Sequence, residues 1–241
     1  MKAMIFAAGR GTRLKPITDK IPKALVSVGG KPLLQHTIEK LKHFGFNEII
    51  VNVHHFADQI IEFVLSNNSF DINIEFSKEN ELLDTGGGIK KAAYFFNDNK
   101  PFLVHNVDVL SNFDLKELYL FHMNSNSAVT LACSVRRTSR YLLFNESNML
   151  QGWINKSNGQ VKSAIPNFNP ANYKELAFSG IQILNPSILK DMKEFPDKFS
   201  VIDFYLSLCI HKPINAFFPT EAHMIDVGKP ESLWEANNFL S

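Results

Sequence analysis

Short apolar runs alternate with amphipathic segments along the first half of the sequence, and this alternation constrains the fold more than any other feature. Apolar runs at residues 2–8, 48–53 and 102–106 predict buried strands. Residues 33–44 and 57–65, which lie between these runs, carry apolar side chains at helical spacing. Because strands that alternate with helices build parallel sheets covered by helices, the first half is predicted to be a doubly wound α/β unit.

The first half continues with further predicted strands at residues 72–76 and 128–135. Further helices are predicted at residues 87–96, after a cap at Asp84 or Thr85, and at residues 114–123. The pattern then changes in the second half of the chain. Short strands and polar turns then predict an antiparallel region over residues 142–165. Beyond it we expect a strand at residues 177–184 and a helix over residues 200–210, which Ser200 caps with Asp203 as the acid of a capping box. Two late strands at residues 214–218 and 224–226 and a last helix from residue 231 follow. The second half is therefore predicted to be mixed and more antiparallel.

The composition argues against several classes of partner. A formal net charge of +1 over 241 residues provides no electrostatic footprint for nucleic acid or for an acidic membrane surface. No apolar stretch approaches the ~20 residues of a membrane span, and the first apolar run ends too early for a secretory signal. Cys133 and Cys209 lack metal-ligand spacing and are interpreted as free thiols of a reducing compartment. We therefore expect a cytoplasmic protein without nucleic-acid or membrane partners.

A glycine-rich loop over residues 7–16 directly follows the first predicted strand. Small residues in such a loop let backbone N–H groups approach phosphate oxygens closely, and here they are Ala7, Ala8, Gly9, Gly11 and Thr12. Arg13, Lys15 and Lys23 add cationic donors. The loop lacks the Gly-Lys-Ser/Thr ending of a Walker A motif, and Leu14 stands where a dinucleotide fingerprint needs a third glycine. A purely structural turn has no need for spaced cations, so the loop predicts a phosphate site.

Acidic and small residues follow other predicted strands. In open α/β sheets, ligands bind beyond the carboxyl ends of the strands, so the Gly9 loop, His54, Gly86 and Asp108 are predicted to share one rim. A lone Asp at a strand end, such as Asp108 or Asp226, is also compatible with a turn or cap. Adjacent strand residues point to opposite faces, so His54 and His55 are not expected to bind one metal together. Asp114 is interpreted as a helix N-cap.

The loop resembles the signature of the sugar-nucleotidyltransferases (NDP-sugar pyrophosphorylases), which reads Gly-x-Gly-Thr-Arg-Leu-x-Pro followed by Pro-Lys-x-Leu. Residues 10–16 and 22–25 match this signature, and residues 29–33 match the next segment of the family. The resemblance is weakest between residues 138 and 176. It implies a Rossmann-like, GT-A-like nucleotidyltransferase fold with a mostly parallel mixed sheet and a smaller antiparallel part. It also implies one domain over residues 1–241, with a nucleotide-binding half (1–135) and a sugar-binding half (136–241).

The same resemblance implies an activity and its catalytic groups. These enzymes transfer a nucleoside monophosphate from an NTP to a sugar 1-phosphate and release pyrophosphate. Arg13 and Lys23 would contact the triphosphate and the α-phosphate as the catalytic residues. Asp108 and Asp226 would hold Mg²⁺, the cofactor, and residues 226–230 resemble the family's Asp-Val-Gly-Thr-Pro segment with Lys229 in place of Thr. Val107 departs from the Gly-Asp that is usual before the first metal ligand.

Base and sugar recognition are also implied by resemblance. Gly86 and Gly87, in the run of residues 82–89, are predicted to lie against the base, and Asn106 and Gly180 to contact the sugar. That run is similar to the N-acetylmuramic acid 1-phosphate uridylyltransferases, so UTP and N-acetylmuramic acid 1-phosphate are the first expectation, in cell-envelope synthesis. GTP with mannose or heptose 1-phosphate is the alternative.

The cation that grips the sugar phosphate is left open by the sequence. The family's Glu-Lys-Pro segment is absent, and residues 155–157 (Asn-Lys-Ser) replace it only weakly. Arg136, Arg137 and Arg140 are interpreted as a solvated face.

Two hypotheses from other functional classes remain beside this activity. A glycosyltransferase of related fold would need an Asp-x-Asp motif, which Asp108-Val109-Leu110 does not supply. An inactive nucleotide-sensing homologue is the other. No hexapeptide repeats of a β-helix domain follow residue 239, so a monomer or small homo-oligomer without acyltransferase activity is expected.

Overall fold

The computed structural model describes residues 1–240 as strands and helices in close alternation. The strands, in chain order, are β1 (Lys2–Phe6), β2 (Ser27–Val28), β3 (Lys31–Pro32), β4 (Glu48–Val53), β5 (Asn73–Lys78), β6 (Phe102–Asn106), β7 (Val109–Ser111), β8 (Val129–Ser134), β9 (Arg140–Phe144), β10 (Leu150–Asn155), β11 (Gln160–Lys162), β12 (Lys174–Leu184), β13 (Ile214–Phe217) and β14 (Met224–Asp226). The helices are α1 (Leu33–His43), α2 (Ala57–Ser66), α3 (Asp84–Lys91), α4 (Leu115–Asn124), α5 (Ile188–Asp191), α6 (Val201–Leu208) and α7 (Pro230–Leu240).

One large mixed sheet forms the centre of the molecule. Its strands run in the order β11-β10-β9-β12-β6-β1-β4-β5, with β8 paired to β12 and β13 paired to β8. Strands β6, β1, β4 and β5 are parallel to one another, and β12 is antiparallel to β6. The predicted fold class, a mostly parallel sheet with an antiparallel extension, is confirmed.

Helices cover both faces of this sheet because its central strands are apolar on both sides. Ala3 and Ile5 of β1 point into the core packed by α1, α2, α4 and α7. Met4, between them, points into the core packed by α3, α5 and α6. Successive residues of a strand face opposite sides, so one short strand contributes to both cores. The result is a three-layer α/β/α arrangement that fixes the carboxyl ends of the strands at one edge.

Strand β12 joins the two halves of the chain. Its carboxyl part pairs with β6, for example Ile181 with His105, and its amino part pairs with β9. It also pairs with β8 along both parts, with a register shift between Phe178 and Gln182. Gly180 lies in that irregular stretch with a φ of 72°, a backbone conformation that favours glycine.

Several predicted boundaries need correction. Strand β1 ends at Phe6, two residues before the predicted end. The segment between the glycine-rich loop and α1 contains 3₁₀ turns and the small β2–β3 pair. Ser200 makes no side-chain cap bond to α6. The hydroxyl of Thr85 instead accepts a hydrogen bond from the Val201 N–H at 3.0 Å, while Asp203 pairs with Lys162 at 2.7 Å. Because α3 packs against α6, a neighbouring element supplies the cap.

No helix within residues 1–240 is both long enough and apolar enough to cross a bilayer.

Candidate active site

The glycine-rich loop folds back on itself beyond the end of β1. The Ala7 N–H donates to the Asn52 carbonyl at 2.9 Å, which fixes the start of the loop against β4. Gly11 has a φ of 62°, and a Cβ there would lie 2.9 Å from the Thr18 side chain and 3.0 Å from that of Lys23. The Thr18 hydroxyl donates to the Gly11 carbonyl at 2.8 Å. Gly11 therefore allows the turn that brings Lys23 beside the loop.

A cavity of about 540 Å³ opens at the carboxyl edge of the parallel strands. Of the residues predicted from the sequence, those that line it are Ala7, Ala8, Gly9, Gly11, Thr12, Arg13, Lys23, Asn106 and Asp108. Residues that the sequence reasoning did not select also line it, among them Phe6, Asn52, Glu79, Asp84, Thr85 and Lys198. The phosphate loop, its cations and the first predicted carboxylate therefore meet at one opening.

The second predicted carboxylate comes to the first through a short strand pair. Strand β14 pairs antiparallel with β7, and Asp226 stands opposite Val109, the residue after Asp108. The Val227 N–H donates to the Asp108 carbonyl at 2.8 Å. Asp108 and Asp226 are thereby held close together although more than a hundred residues separate them in the chain.

Both loop cations reach this carboxylate pair. The Lys23 ammonium donates to the Asp108 carboxylate in a partly buried ion pair. A Cβ on Gly228 would lie 2.8 Å from Nη2 of Arg13 and 2.9 Å from Oδ1 of Asp226, so these two side chains flank the same glycine. Lys23 and Arg13 therefore lie beside the two carboxylates.

The pKa of Asp226 reflects the atoms and charges around its carboxyl group. Although the residue remains exposed to solvent, protein atoms around its carboxyl group raise its pKa, and the negative charge of Asp108 raises it further. The positive charges of Lys23, Arg13 and Arg136 act in the opposite direction. Two repelling carboxylates held together by the fold form a site that attracts a cation.

The donor set fits Mg²⁺. Mg²⁺ in phosphate-transfer sites is bound by one or two carboxylates, with substrate phosphates and waters as the other ligands. Within residues 1–240 no cluster of three or more Asp, Glu, His or Cys side chains could enclose a metal ion, so Asp108 and Asp226 would need the substrate's oxygens. Val107 is buried, and its N–H donates to the Phe6 carbonyl at 3.2 Å, so its branched side chain packs in the core and does not obstruct Asp108.

Glu79 is a buried acid in the cavity wall that sequence reasoning missed. It is 3% exposed. Its Oε1 accepts from the Asn52 amide at 2.7 Å, and its Oε2 accepts from the Leu83 N–H at 3.1 Å. Gly88 faces this carboxylate, and a Cβ there would lie 3.2 Å from Oε1. The strand-end rule could have found Glu79, which directly follows β5, but the predicted strand ended at residue 76.

Gly86 and Gly87 lie in the first turn of α3, close to residues 197–199. Neither lines the cavity, and a Cβ on Gly86 would lie 2.2 Å from the Phe199 ring. A Cβ on Gly87 would lie 2.1 Å from the Asp197 carbonyl oxygen. The N–H groups of both glycines donate to the Phe199 carbonyl. Packing of α3 against residues 197–199 explains the need for glycine at both positions. Contact of these glycines with a base stays a prediction.

His54 and Gly180 support the site from behind. Neither belongs to the cavity lining. His54 nevertheless directly follows β4, so it lies at the predicted rim. A ring nitrogen of His54 is 3.0 Å from the Glu79 carbonyl oxygen. A Cβ on Gly180 would lie 2.7 Å from the Asn106 amide nitrogen, so this glycine leaves room for Asn106. Contact of Asn106 and Gly180 with a sugar stays a prediction.

The fold and the site together define a class of protein. A cation-bearing glycine loop after the first strand of a mostly parallel sheet, facing two carboxylates, is typical of α/β proteins that handle nucleotide phosphates. Residues 2–241 match the family model described as nucleotidyl transferase, and the chain belongs to this family.

Curated relatives and solved structures agree with that assignment. The chain is 32% identical over 237 residues to a mannose-1-phosphate guanyltransferase of Yarrowia lipolytica, a match that covers 96% of this chain and 61% of the relative. It is 29% identical over 238 residues to the enzyme of that name in Schizosaccharomyces pombe, covering 96% of this chain and 62% of the relative. The chain therefore spans a little over three fifths of these relatives.

The crystal structure of HddC from Yersinia pseudotuberculosis complexed with GMP-PN is similar over the whole chain. It superposes with a TM-score of 0.78 at 29% identity and covers 100% of this chain and 99% of that one.

Proposed function

We propose that this protein transfers a nucleoside monophosphate from an NTP to a sugar 1-phosphate and releases pyrophosphate. The observation that carries the proposal is the meeting of Arg13, Lys23, Asp108 and Asp226 at one edge of the sheet. Phosphoryl-type transfer needs little covalent chemistry from a protein, so positioning and neutralisation of charge supply most of the rate. The family membership and the relatives named guanyltransferase support the same reaction.

The side chains present suggest how the two anions are brought together. Arg13 offers a planar fork for phosphate oxygens and Lys23 a compact positive charge. Asp108 and Asp226 would hold Mg²⁺, which when bound offsets the repulsion between two phosphates. A sugar phosphate is already ionised near neutral pH, so the protein needs no strong general base. Holding both substrates in register converts a bimolecular step into an effectively unimolecular one.

For the base we propose guanine, with GTP as the donor and mannose or heptose 1-phosphate as acceptor. Glu79 supports this choice, because a carboxylate is complementary to the adjacent ring N–H and amino group of guanine. Uracil offers a single N–H between two carbonyl oxygens, which a carboxylate repels. The relatives' names point in the same direction. UTP with N-acetylmuramic acid 1-phosphate, the first expectation from the sequence, has less support and is retained as an arm of the test.

The test is pyrophosphate release with every pairing of GTP, UTP, ATP and dTTP with mannose, heptose, glucose and N-acetylmuramic acid 1-phosphates, in the presence of MgCl₂. We expect GTP with mannose or heptose 1-phosphate to give the highest kcat/KM, and EDTA to abolish turnover. A UTP preference would overturn the choice of guanine. Absence of turnover with every pair would favour the inactive nucleotide-sensing homologue.

A further inference from the structure

We infer that Arg136 is the side chain that holds the phosphate of the sugar 1-phosphate. This inference rests on the proposed function and answers a question that the sequence leaves open. Arg136 follows β8 in the second half of the chain, whereas Arg13 lies in the phosphate loop and Lys23 lies beside it. Two anions must approach each other in the proposed reaction, and the second one needs a cation of its own.

The guanidinium of Arg136 is anchored on the strand that joins the two halves. Its Nη2 donates to the Phe178 carbonyl of β12 at 3.3 Å. Phe178 lies two residues before Gly180, which in turn faces Asn106 at the edge of the nucleotide cavity. Arg136 itself lines a second cavity of about 540 Å³, which Phe178 and Ser200 share with it. The side chain therefore lies at the second cavity and is attached to the strand that carries Gly180 beside Asn106.

The charge of Arg136 acts on the proposed metal site. Arg136 is one of three cations close enough to the Asp226 carboxylate to interact with its charge. Of those three it alone comes from the second half of the chain. A phosphate bound beside Asp226 would therefore also interact with the charge of Arg136.

The guanidinium also retains hydrogen-bonding capacity. Its Nε is buried and has no hydrogen-bond partner in the part of the chain that the structure describes. Guanidinium N–H groups are strong, obligate donors, and a planar fork suits phosphate oxygens. A bound oxyanion would provide acceptors at this side chain.

Two other candidate cations of the second half form ion pairs with acidic residues. Lys156, the weak stand-in for the family's lysine, forms an ion pair with Glu175. Lys162 pairs with Asp203 at 2.7 Å. Arg137 is exposed, consistent with the solvated face predicted for it. That interpretation is corrected for Arg136, which is only partly exposed.

The test is steady-state kinetics of Arg136→Gln and Arg136→Lys beside the exposed neighbour variant Arg137→Gln. For Arg136→Gln we expect the KM for the sugar 1-phosphate to rise about 10- to 100-fold while the KM for the NTP stays within about twofold. Arg136→Lys should recover part of the loss, and Arg137→Gln should match the wild type. Equal thermal unfolding midpoints would show that all three variants fold.

Binding of mannose 1-phosphate, measured by calorimetry without NTP, separates the failure of this inference from failure of the proposed function. If the wild type turns over and Arg136→Gln leaves both KM values unchanged, or raises both equally, Arg136 does not hold this phosphate. If the wild type turns over no pair of substrates, the proposed function fails. In that case, weaker binding of mannose 1-phosphate to Arg136→Gln would still support the phosphate contact, and equal binding would overturn it.

Discussion

The carboxylates of Asp108 and Asp226 repel each other, and the fold nevertheless keeps them together. Burial and the charge of Asp108 both disfavour the ionised form of Asp226. A raised carboxyl pKa means that ionisation of this group opposes folding, so stability is lost as pH rises from the ordinary pKa of 3.8 through the raised value. Such a conflict between stability and charge is common where a site is built to bind a cation.

Asp226→Asn should therefore keep or raise the stability of the protein while removing its activity. At pH 7 the variant should unfold at the same temperature as the wild type or higher. Any gain should disappear as the pH falls below the ordinary pKa of 3.8, because Asp226 is then protonated in both the folded and the unfolded wild type. Loss of one charged ligand should lower kcat by a factor on the order of 10²–10³. Calorimetry at both pH values and a pyrophosphate assay measure the two effects. Asp71→Asn, which changes an exposed acid, is the control. A destabilised Asp226→Asn at pH 7 would contradict the repulsion.

Glu79→Gln should reduce the preference for GTP over UTP. The glutamine can keep the hydrogen bond from Asn52, but it places a donor where Oε2 accepts from the Leu83 N–H and is proposed to meet the base. A bidentate base contact provides ~1–3 kcal/mol of discrimination, so the ratio of kcat/KM for the two nucleotides should fall by the factor that corresponds to this free energy. Glu75→Gln alters an exposed acid on β5, the strand that Glu79 follows, and should leave the ratio unchanged. An unaltered ratio in Glu79→Gln would remove the argument for guanine.

Elements with a complete local pattern could be predicted from the sequence, whereas those shaped by neighbours could not. Strands β4 and β6 have the predicted bounds because each is a buried apolar run between polar residues. The prediction that Ser200 caps α6 was wrong because the acceptor, the hydroxyl of Thr85, comes from another helix. Glu79 was missed for a similar reason, since pairing with β4 extends β5 beyond its apolar residues to Lys78.

Replacement by alanine should lower stability at Gly87 and substrate affinity at Gly9. In Gly87→Ala the new methyl group would meet the Asp197 carbonyl and the Leu83 side chain, so we expect a loss of about 1–3 kcal/mol in the free energy of unfolding. Nothing lies within 4 Å of a Cβ at Gly9, so Gly9→Ala should be within about 0.5 kcal/mol of the wild type. Its methyl group would instead enter the cavity and raise the KM for the NTP. Urea unfolding and kinetics of both variants test this; a stable Gly87→Ala would show that residues 197–199 can shift.

At the scale of the whole molecule, β12 makes the two halves parts of one sheet. The sequence predicted a parallel half and a mixed half, but it contains no local signal for the strand order that brings β12 between β9 and β6. Likewise, the approach of Asp226 to Asp108 was implied by resemblance alone, because pairing between strands so distant in sequence depends on tertiary packing.

The chain should therefore unfold in a single transition, as expected for one domain over residues 1–241. Trp153 lies in β10, in the second half, and in a Trp234→Phe variant its fluorescence reports on that half alone. Hydrogen exchange of β1 and β4 reports on the first half. The two probes should give the same unfolding midpoint in urea. Loss of the β6–β12 pairing removes hydrogen bonds and packing from both halves of the chain at once. Two separate midpoints would divide the chain into independent folding units.

The late position of Asp226 in the chain has a consequence for biosynthesis. A ribosome releases the phosphate loop and Asp108 long before β14, which carries the second carboxylate. A nascent chain that has already folded its parallel strands can form the loop, but it lacks the residue that completes the proposed metal site. Under the reaction proposed here, catalytic competence arises only after β14 has been synthesised, so polypeptides that stop before it would not consume nucleotide.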